Sequence, residues 1–399
     1  MSKPLRDLAD VYYGKSPNEV VSDESTIPII GTGGIYGRAT RAMYQGPAVV
    51  VPRKGSLGNP QFIGEPFWPV DTTYAVLPKP KVDAKWLYYS LAAFDLTKLN
   101  EATGVPSINR DWLYRVKLGS DEFDGQRRIS EILSTVDEAI EQTEALIAKY
   151  QQVMAGLMHD LFTRGVSPDG RLRPTYKQAP HLYKESPLGW IPKEWGVVTV
   201  RECGSVKLGR QRSPDQFSGR WTTPYLRVAN VFDGFIDYSD ILEMDFTPDE
   251  RRTFSVQQGD ILLNEGQSLE LVGRCAIFNG PDEVFCFQNT LVCFRTFDRQ
   301  YPPFYRFLFK WFLDCRLFIR IAKQTTSVAH LGADRFSKMY CVSVPYEEQI
   351  RISDRLAALQ ARLDTDSAHA AKLRQQKHGL MQDLLTGRVR VKVAEPASR

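Results

Sequence analysis

Side chains able to make paired, directional hydrogen bonds gather in two stretches of the first half of this chain. Gly31 to Arg41 joins the flexible run Gly31-Thr32-Gly33-Gly34 to Arg38 and Arg41, and Arg53 to Gln61 offers Arg53, Lys54, Ser56, Asn59 and Gln61. Arginine can hold guanine through two parallel hydrogen bonds, Asn and Gln can do so with adenine, and lysine or serine suits a phosphate. The second half has counterparts in Arg210, Arg212 and Arg220, then Arg227 and Asn230, then Asn264, Gln267 and Arg274, with Gln288 and Asn289 close behind. An exposed polar residue is by default merely solvated, so any expectation of nucleic-acid contact attaches to these loops as groups.

Catalytic readings of the other motifs fail on their chemistry. Tyr301-Pro302-Pro303-Phe304 comes close to the Asp/Asn/Ser-Pro-Pro-Tyr/Phe motif of amino-methyltransferases, but its first position must accept from the target amino group, and tyrosine cannot in that geometry. Gly14-Lys15-Ser16 ends like a phosphate-binding loop, yet Ala9 stands where the earlier glycine is required. Gly31-Thr32-Gly33-Gly34 follows a strand candidate but leads to Gly46-Pro47 with no amphipathic helix to aim at a phosphate, which leaves a tight or DNA-contacting loop. Pro69-Val70-Asp71 with Asp83-Ala84-Lys85 is a nuclease-like set whose spacing is too permissive to count. His159, His181, His330, His369 and His378 lack metal-ligand spacing and read as surface or helix residues. No catalytic residue, metal or cofactor is expected in this chain.

The elements that must position the loops emerge from an internal repeat. Thr103 to Val166 returns without a gap at Thr326 to Val389, offset by 223 residues, with roughly four in ten positions identical across its helical part. Gln126-Arg127-Arg128-Ile129 answers to Gln349-Ile350-Arg351-Ile352, and Gly156-Leu157-Met158 to Gly379-Leu380-Met381. A heptad seam runs through Ile129, Leu133, Val136, Ile140, Thr143, Ile147, Tyr150, Met154, Leu157 and Leu161 and predicts a long helix. Its copy reads Ile352, Leu356, Leu359, Leu363, Asp366, Ala370, Leu373, Lys377, Leu380 and Leu384, with Asp366 and Lys377 as polar interruptions. Some forty residues at 1.5 Å each make a rod of roughly 60 Å. Acidic residues mark the first helix (Glu131, Asp137, Glu138, Glu141, Glu144) and basic ones the second (Arg351, Arg355, Arg362, Lys372, Arg374, Lys377), so the two are expected to pair as an antiparallel coiled coil with a pseudo-two-fold relation.

The regions before each helix read as β-rich. Strand candidates are 27–30, 48–51, 73–77, 259–263 and 290–294, each bounded by turn residues. Arg6 to Pro17 resembles Arg201 to Pro214, and Ile27-Pro28 resembles Thr223-Pro224, while the interiors share little: two alike scaffolds with unlike loops, the pattern of two readers of different targets. The resulting order is a recognition domain at 1–122, a long helix at 123–165, a linker at 166–195 too proline-rich for regular structure, a second recognition domain at 196–345, a second long helix at 346–390 and a tail at 391–399.

Bulk properties set limits on this picture. A chain of 399 residues with 43% hydrophobic and 25% charged side chains suits two or three globular domains, and a net charge of +4 requires any nucleic-acid binding to use local basic surfaces. Cys203, Cys275, Cys286, Cys293, Cys315 and Cys341 include no CxxC pair, which argues against zinc and a disulfide framework and for a reducing cytoplasm. No signal-type leader and no apolar run of membrane-spanning length is present, so a cytoplasmic location without membrane contact is expected.

The order of variable region, long helix, variable region, long helix resembles the specificity subunit of type I restriction-modification enzymes. The residues that carry it are Gln126-Arg127-Arg128-Ile129, Glu348-Gln349-Ile350-Arg351-Ile352, the two Gly-Leu-Met runs and Leu188-Gly189-Trp190-Ile191-Pro192-Lys193-Glu194-Trp195. The resemblance implies a mixed α+β chain: two α/β target recognition domains, each reading half of a split DNA sequence, alternating with helices that set the spacing and bind two modification subunits. It implies that adenine methylation, with its S-adenosylmethionine, belongs to the modification partner and cleavage to restriction subunits. Unlike loops on a repeated frame make the expected site asymmetric. The rival readings are a scaffold that binds only proteins, which gives no reason for basic, amide-bearing loops in both halves, and a free-standing nuclease or methyltransferase.

Overall fold

Short β-branched runs between turn residues become central strands. Val49-Val50-Val51 is fully buried within Ala48–Pro52, which pairs antiparallel with Thr73–Pro78 on one side and Gln61–Ile63 on the other, while Ala9–Tyr13 completes the sheet beyond Thr73–Pro78. A smaller sheet has Ile27–Gly31 between an antiparallel Gly34–Ala39 and a parallel Trp68–Pro69. This computed structural model describes residues 2–119, 121–213, 219–325 and 328–392; Pro214, Thr326 and the tail from 393 lie outside them.

The second half uses the same plan. Gly204–Leu208, Leu291–Thr296, Ile261–Asn264 and Cys275–Ile277 form an antiparallel sheet in the matching order, and Thr222–Leu226 lies between an antiparallel Leu242–Asp245 and a parallel Cys286–Phe287. A glycine sits at the same crossing in each copy. A Cβ on Gly14 would come within 2.0 Å of the Val70 carbonyl oxygen, and one on Gly209 within 2.2 Å of the Gln288 carbonyl oxygen, so neither position admits a side chain.

The chain divides into two units, Met1–Ile147 with Asp366–Arg399, and Ala148–Thr365, so that each takes part of both long helices, Phe123–Thr163 and Tyr346–Leu385. In the first unit Leu384 and Leu385 join the core that holds Ile129, Leu133 and Trp86. Asp137 pairs with Lys377 at 2.5 Å, and Glu144 pairs with Arg374. Residue numbers rise along one helix as they fall along the other, so the segments run antiparallel. In the second unit Arg362 lies 5.9 Å over the Tyr150 ring, while the Glu348 carboxylate accepts from the Val166 amide at 2.8 Å, again antiparallel. Ile129, Leu133, Ile140, Met154, Leu161, Ile352, Leu356, Leu363 and Leu384 are buried, and Val136, Ile147, Leu157, Leu359, Leu373 and Leu380 are half-buried.

Lys377, an interruption in the sequence seam, is a specific contact in the structure. Its ammonium lies 5.5 Å from the Tyr89 ring centre as well as against Asp137, and the Tyr89 hydroxyl donates to Asp137 at 2.8 Å. A polar seam residue with a dedicated partner fixes helix register at some expense in stability.

Each long helix opens with a buried glutamine that ties it to its own globular region. Gln126 accepts from the Asp83 amide at 2.9 Å and donates to the Asp121 carbonyl at 2.8 Å; Gln349 accepts from the Tyr301 amide at 2.9 Å and donates to the Val344 carbonyl at 2.8 Å. Asp83 and Tyr301 precede the helices Ala84–Ala93 and Pro302–Asp314, so the repeated glutamine satisfies the entrance of equivalent helices. Pro302-Pro303 is simply a helix start, where proline's fixed φ fits and its missing amide costs nothing.

Residues 166–195 do not stay irregular. Tyr183–Ser186 and Gly189–Pro192 form an antiparallel hairpin, and Tyr176 stacks on Trp190 with ring centres 4.2 Å apart. Pro187 sits in the turn of this hairpin and Pro192 at its end. The segment is anchored by Glu348, 2% exposed, whose oxygens accept from Arg173 at 2.5 and 3.0 Å and from the Trp195 indole at 3.1 Å in addition to Val166. Burial disfavours the Arg173 charge, but the hydrogen bonds and negative charge of Glu348 outweigh it and hold its pKa above the usual guanidinium value.

Replacing Glu348 by alanine strands a buried guanidinium, and urea denaturation of Glu348→Ala should show a loss of about 3–5 kcal/mol. Asp137→Ala and Lys377→Ala, by contrast, should each cost about 1 kcal/mol and combine less than additively in a double-mutant cycle, because both remove the ion pair they share.

Candidate nucleic-acid interface

Sequence-derived candidates fall into three groups once the strands are in place. The stretch from Gly31 to Arg41, expected as a loop, is mostly the strand Gly34–Ala39 behind a tight turn at Thr32-Gly33, where Gly34 adopts a φ of +123°. Arg38 is half-buried on that strand and donates to the Thr26 carbonyl at 3.2 Å, while Arg41 is exposed beyond it. Gln61 turns inward and donates to the Gly31 carbonyl at 2.8 Å, which leaves Lys54, Ser56 and Asn59 as the exposed candidates of the second stretch.

Arg53 has a different setting. Its guanidinium lies 5.2 Å from the Tyr13 ring centre, and Arg110 lies at 5.2 Å from the same ring. The Nε atoms of both are buried without a hydrogen-bond partner, and among the described residues neither side chain has a carboxylate to neutralise it. The field of the pair reaches Tyr74, 5.1 Å from Tyr13: burial first and Tyr13 second raise the Tyr74 pKa above the usual phenol value, and the two arginines oppose that rise. Tyr13 itself is 44% exposed, so the ring that the two arginines share faces solvent.

In the second unit two candidates are structural. Asn230 is 1% exposed; its side chain accepts from the Arg227 amide and donates to the Asp237 and Asp240 carbonyls, each at 3.0 Å. Asn264 is fully buried at the end of a central strand and donates to the Val231 carbonyl at 3.3 Å. Neither reaches solvent, because amide side chains also serve to satisfy backbone groups at turns, a role the sequence cannot separate from base contact.

The rest lie nearer the surface, several already engaged. Arg210 pairs with Glu250 at 2.6 Å and lies 4.9 Å over Phe246, and Arg227 pairs with Asp240. Gln288 and Asn289 are half-buried beside Arg210, whose carbonyl accepts from the Asn289 amide at 3.0 Å. Arg212 is exposed, Arg220 lies 4.4 Å over Trp221, and Gln267 accepts from the Ser268 amide at 3.1 Å. Arg274 lies 4.8 Å over Phe232, which stacks on the exposed Phe235, and burial lowers its pKa. Sequence reasoning missed Tyr13, Arg110, Glu265 and His330; the last two meet with His330 Nδ1 2.9 Å from the Glu265 carboxylate. No spacing rule joins positions 13, 53 and 110, but the 223-residue offset does map Ser107 onto His330.

Removing the Asn230 side chain takes three hydrogen bonds from a buried turn, so Asn230→Ala should lower stability by about 1–3 kcal/mol in urea denaturation, whereas Lys54→Ala should leave it unchanged.

Comparison with known proteins bears on this arrangement. A family described as the type I restriction modification DNA specificity domain matches residues 1–151. The type I restriction enzyme MjaVIII specificity subunit of Methanocaldococcus jannaschii is 24% identical over 361 residues, which cover 85% of this chain and 78% of that one. The fold matches the crystal structure of a type I restriction-modification S subunit from M. genitalium with a TM-score of 0.62 at 17% identity, covering 96% of each chain. A second structure, described as showing complex assembly and conformational transition of the type I R-M system, gives a TM-score of 0.54 at 15% identity over 98% of each chain.

Proposed function

We infer that this chain, which belongs to the type I restriction-modification DNA specificity subunits, reads a single double-stranded DNA site in two unlike halves, one with each strand-and-helix unit. The observation that carries this reading is the repeated strand order bearing dissimilar polar surfaces: Arg53, Arg110 and Tyr13 on one copy, Arg274, Phe232 and Glu265 on the other. A frame held constant while its surface chemistry changes is what two base-reading modules of different preference require. The site is then asymmetric.

The chain's own role is recognition without catalysis. Methyl transfer to adenine, with S-adenosylmethionine as donor, falls to two modification subunits docked on the paired helices, and cleavage to restriction subunits. No helix among the described residues is long and apolar enough to cross a membrane, in keeping with a cytoplasmic complex acting on DNA. A scaffold binding only proteins gives no reason for Arg53 and Arg110 to share one exposed ring with no ion pair among the described residues.

Sequencing of methylated adenines in the native host, with and without this chain, tests the proposal. One split, asymmetric motif should lose methylation when the chain is removed and regain it on complementation. Unchanged methylation, or methyl transfer and metal-dependent cleavage by the purified chain alone, would overturn it.

A further inference from the structure

The two scaffolds can be matched residue by residue through their backbone hydrogen bonds. Arg53 donates its amide to the Thr72 carbonyl at 2.8 Å and accepts from the Ile108 amide at 2.9 Å; Glu265 donates to Thr290 at 2.9 Å and accepts from Leu331 at 2.8 Å. Each follows the last residue of the third strand of its larger sheet, Pro52 in one case and Asn264 in the other. One residue further on, Lys54 bridges Ser107 and Gly266 pairs with His330. The helices that come next open with Arg110 and Ala333. On the first strand of the same sheet, Tyr13 opposite Tyr74 corresponds to Leu208 opposite Val292.

One backbone position therefore carries opposite chemistry in the two copies. The first unit presents two guanidinium groups, donors only, clamped on one tyrosine with no counter-charge among the described residues. The second presents a carboxylate, an acceptor only, held by an imidazole. We propose that this position reads a guanine in the first unit, through Arg53 and Arg110, and a base with an exocyclic amino group in the second, through Glu265. The proposal rests on the DNA-reading function inferred above.

Two cations that share one ring, with no ion pair to either among the described residues, are relieved when a ligand supplies acceptors. The major-groove edge of guanine offers two, O6 and N7, in the geometry of a guanidinium fork. A phosphate would satisfy the same cations, but a position built to grip the backbone would be basic in both copies, and a carboxylate at Glu265 would repel it. Glu265 suits the amino group of cytosine or adenine, for which one carboxylate oxygen faces His330 Nδ1 and the other is left to accept. Contact with the Tyr13 ring restrains both arginine side chains, which lowers the ordering cost of binding.

The test is selection from randomised duplex DNA by the full-length chain assembled with its modification subunits, followed by sequencing of the bound pool. If the native chain enriches no split motif, the DNA-reading function itself fails. If it does, Arg53→Ala, Arg110→Ala and the charge-preserving Arg53→Lys should each reduce preference for one guanine in one half-site by roughly tenfold to a hundredfold. The other half-site should be read as before, which also shows that the variant is folded. Glu265→Gln should relax one cytosine or adenine position in the opposite half. Equal weakening on all sequences, or base preferences unchanged at both positions, would overturn the assignment.

Discussion

Neither unit closes its core with one long helix alone. Leu384 and Leu385, near the end of the second helix, are buried with Ile129, Leu133 and Trp86, while Ile352 and Leu356, at the start of that same helix, are buried in the other unit. A 41-residue helix on its own would expose its apolar stripe along roughly 60 Å, a length no single small domain can cover. Exchange of helix segments removes that stripe from water and makes the antiparallel pairing obligatory for both units. Apolar seam residues supply most of the stabilisation, and the ion pairs, being half-exposed, contribute register more than energy.

Buried polar groups then fix how each globular region meets its helix. Gln126 and Gln349 occupy the same place in the repeat, and each uses both ends of its amide on backbone groups that would otherwise be orphaned. Glu348 has no equivalent in the first copy, where Gly125 stands 223 residues earlier. Its carboxylate accepts bonds from Arg173, Val166 and Trp195 and ties down the segment joining the two halves. A polar network this fully satisfied specifies one arrangement, because any alternative leaves a charge or an amide unpaired in a dry site.

Much of this was legible in the sequence. The heptad seam and the strand runs at 48–51 and 73–77 rest on local periodicity, and the repeat and the opposed helix charges on direct comparison of two segments, all of which sequence shows plainly. What it hid is tertiary. Asn230 and Asn264 look like base readers until burial shows them serving the backbone, and residues 34–39 look like a loop because glycines flank a strand that pairs by topology. Tyr13, Arg53 and Arg110 come together only through strand pairing and a distant helix start. The hairpin at 183–192 was obscured by prolines, whose rigidity at turns and strand ends is compatible with pairing they cannot support in the middle.

The division of the chain, Met1–Ile147 with Asp366–Arg399, also dictates an order of events during synthesis. The amino-terminal unit is the first to emerge from the ribosome and the last to be finished, since the segment that seals its core is translated some 220 residues later. At ordinary elongation rates that interval is roughly ten to forty seconds, during which Ile129 and Leu133 stand open to water. The intervening unit is itself complete only as that interval ends, so both cores close together at the end of synthesis.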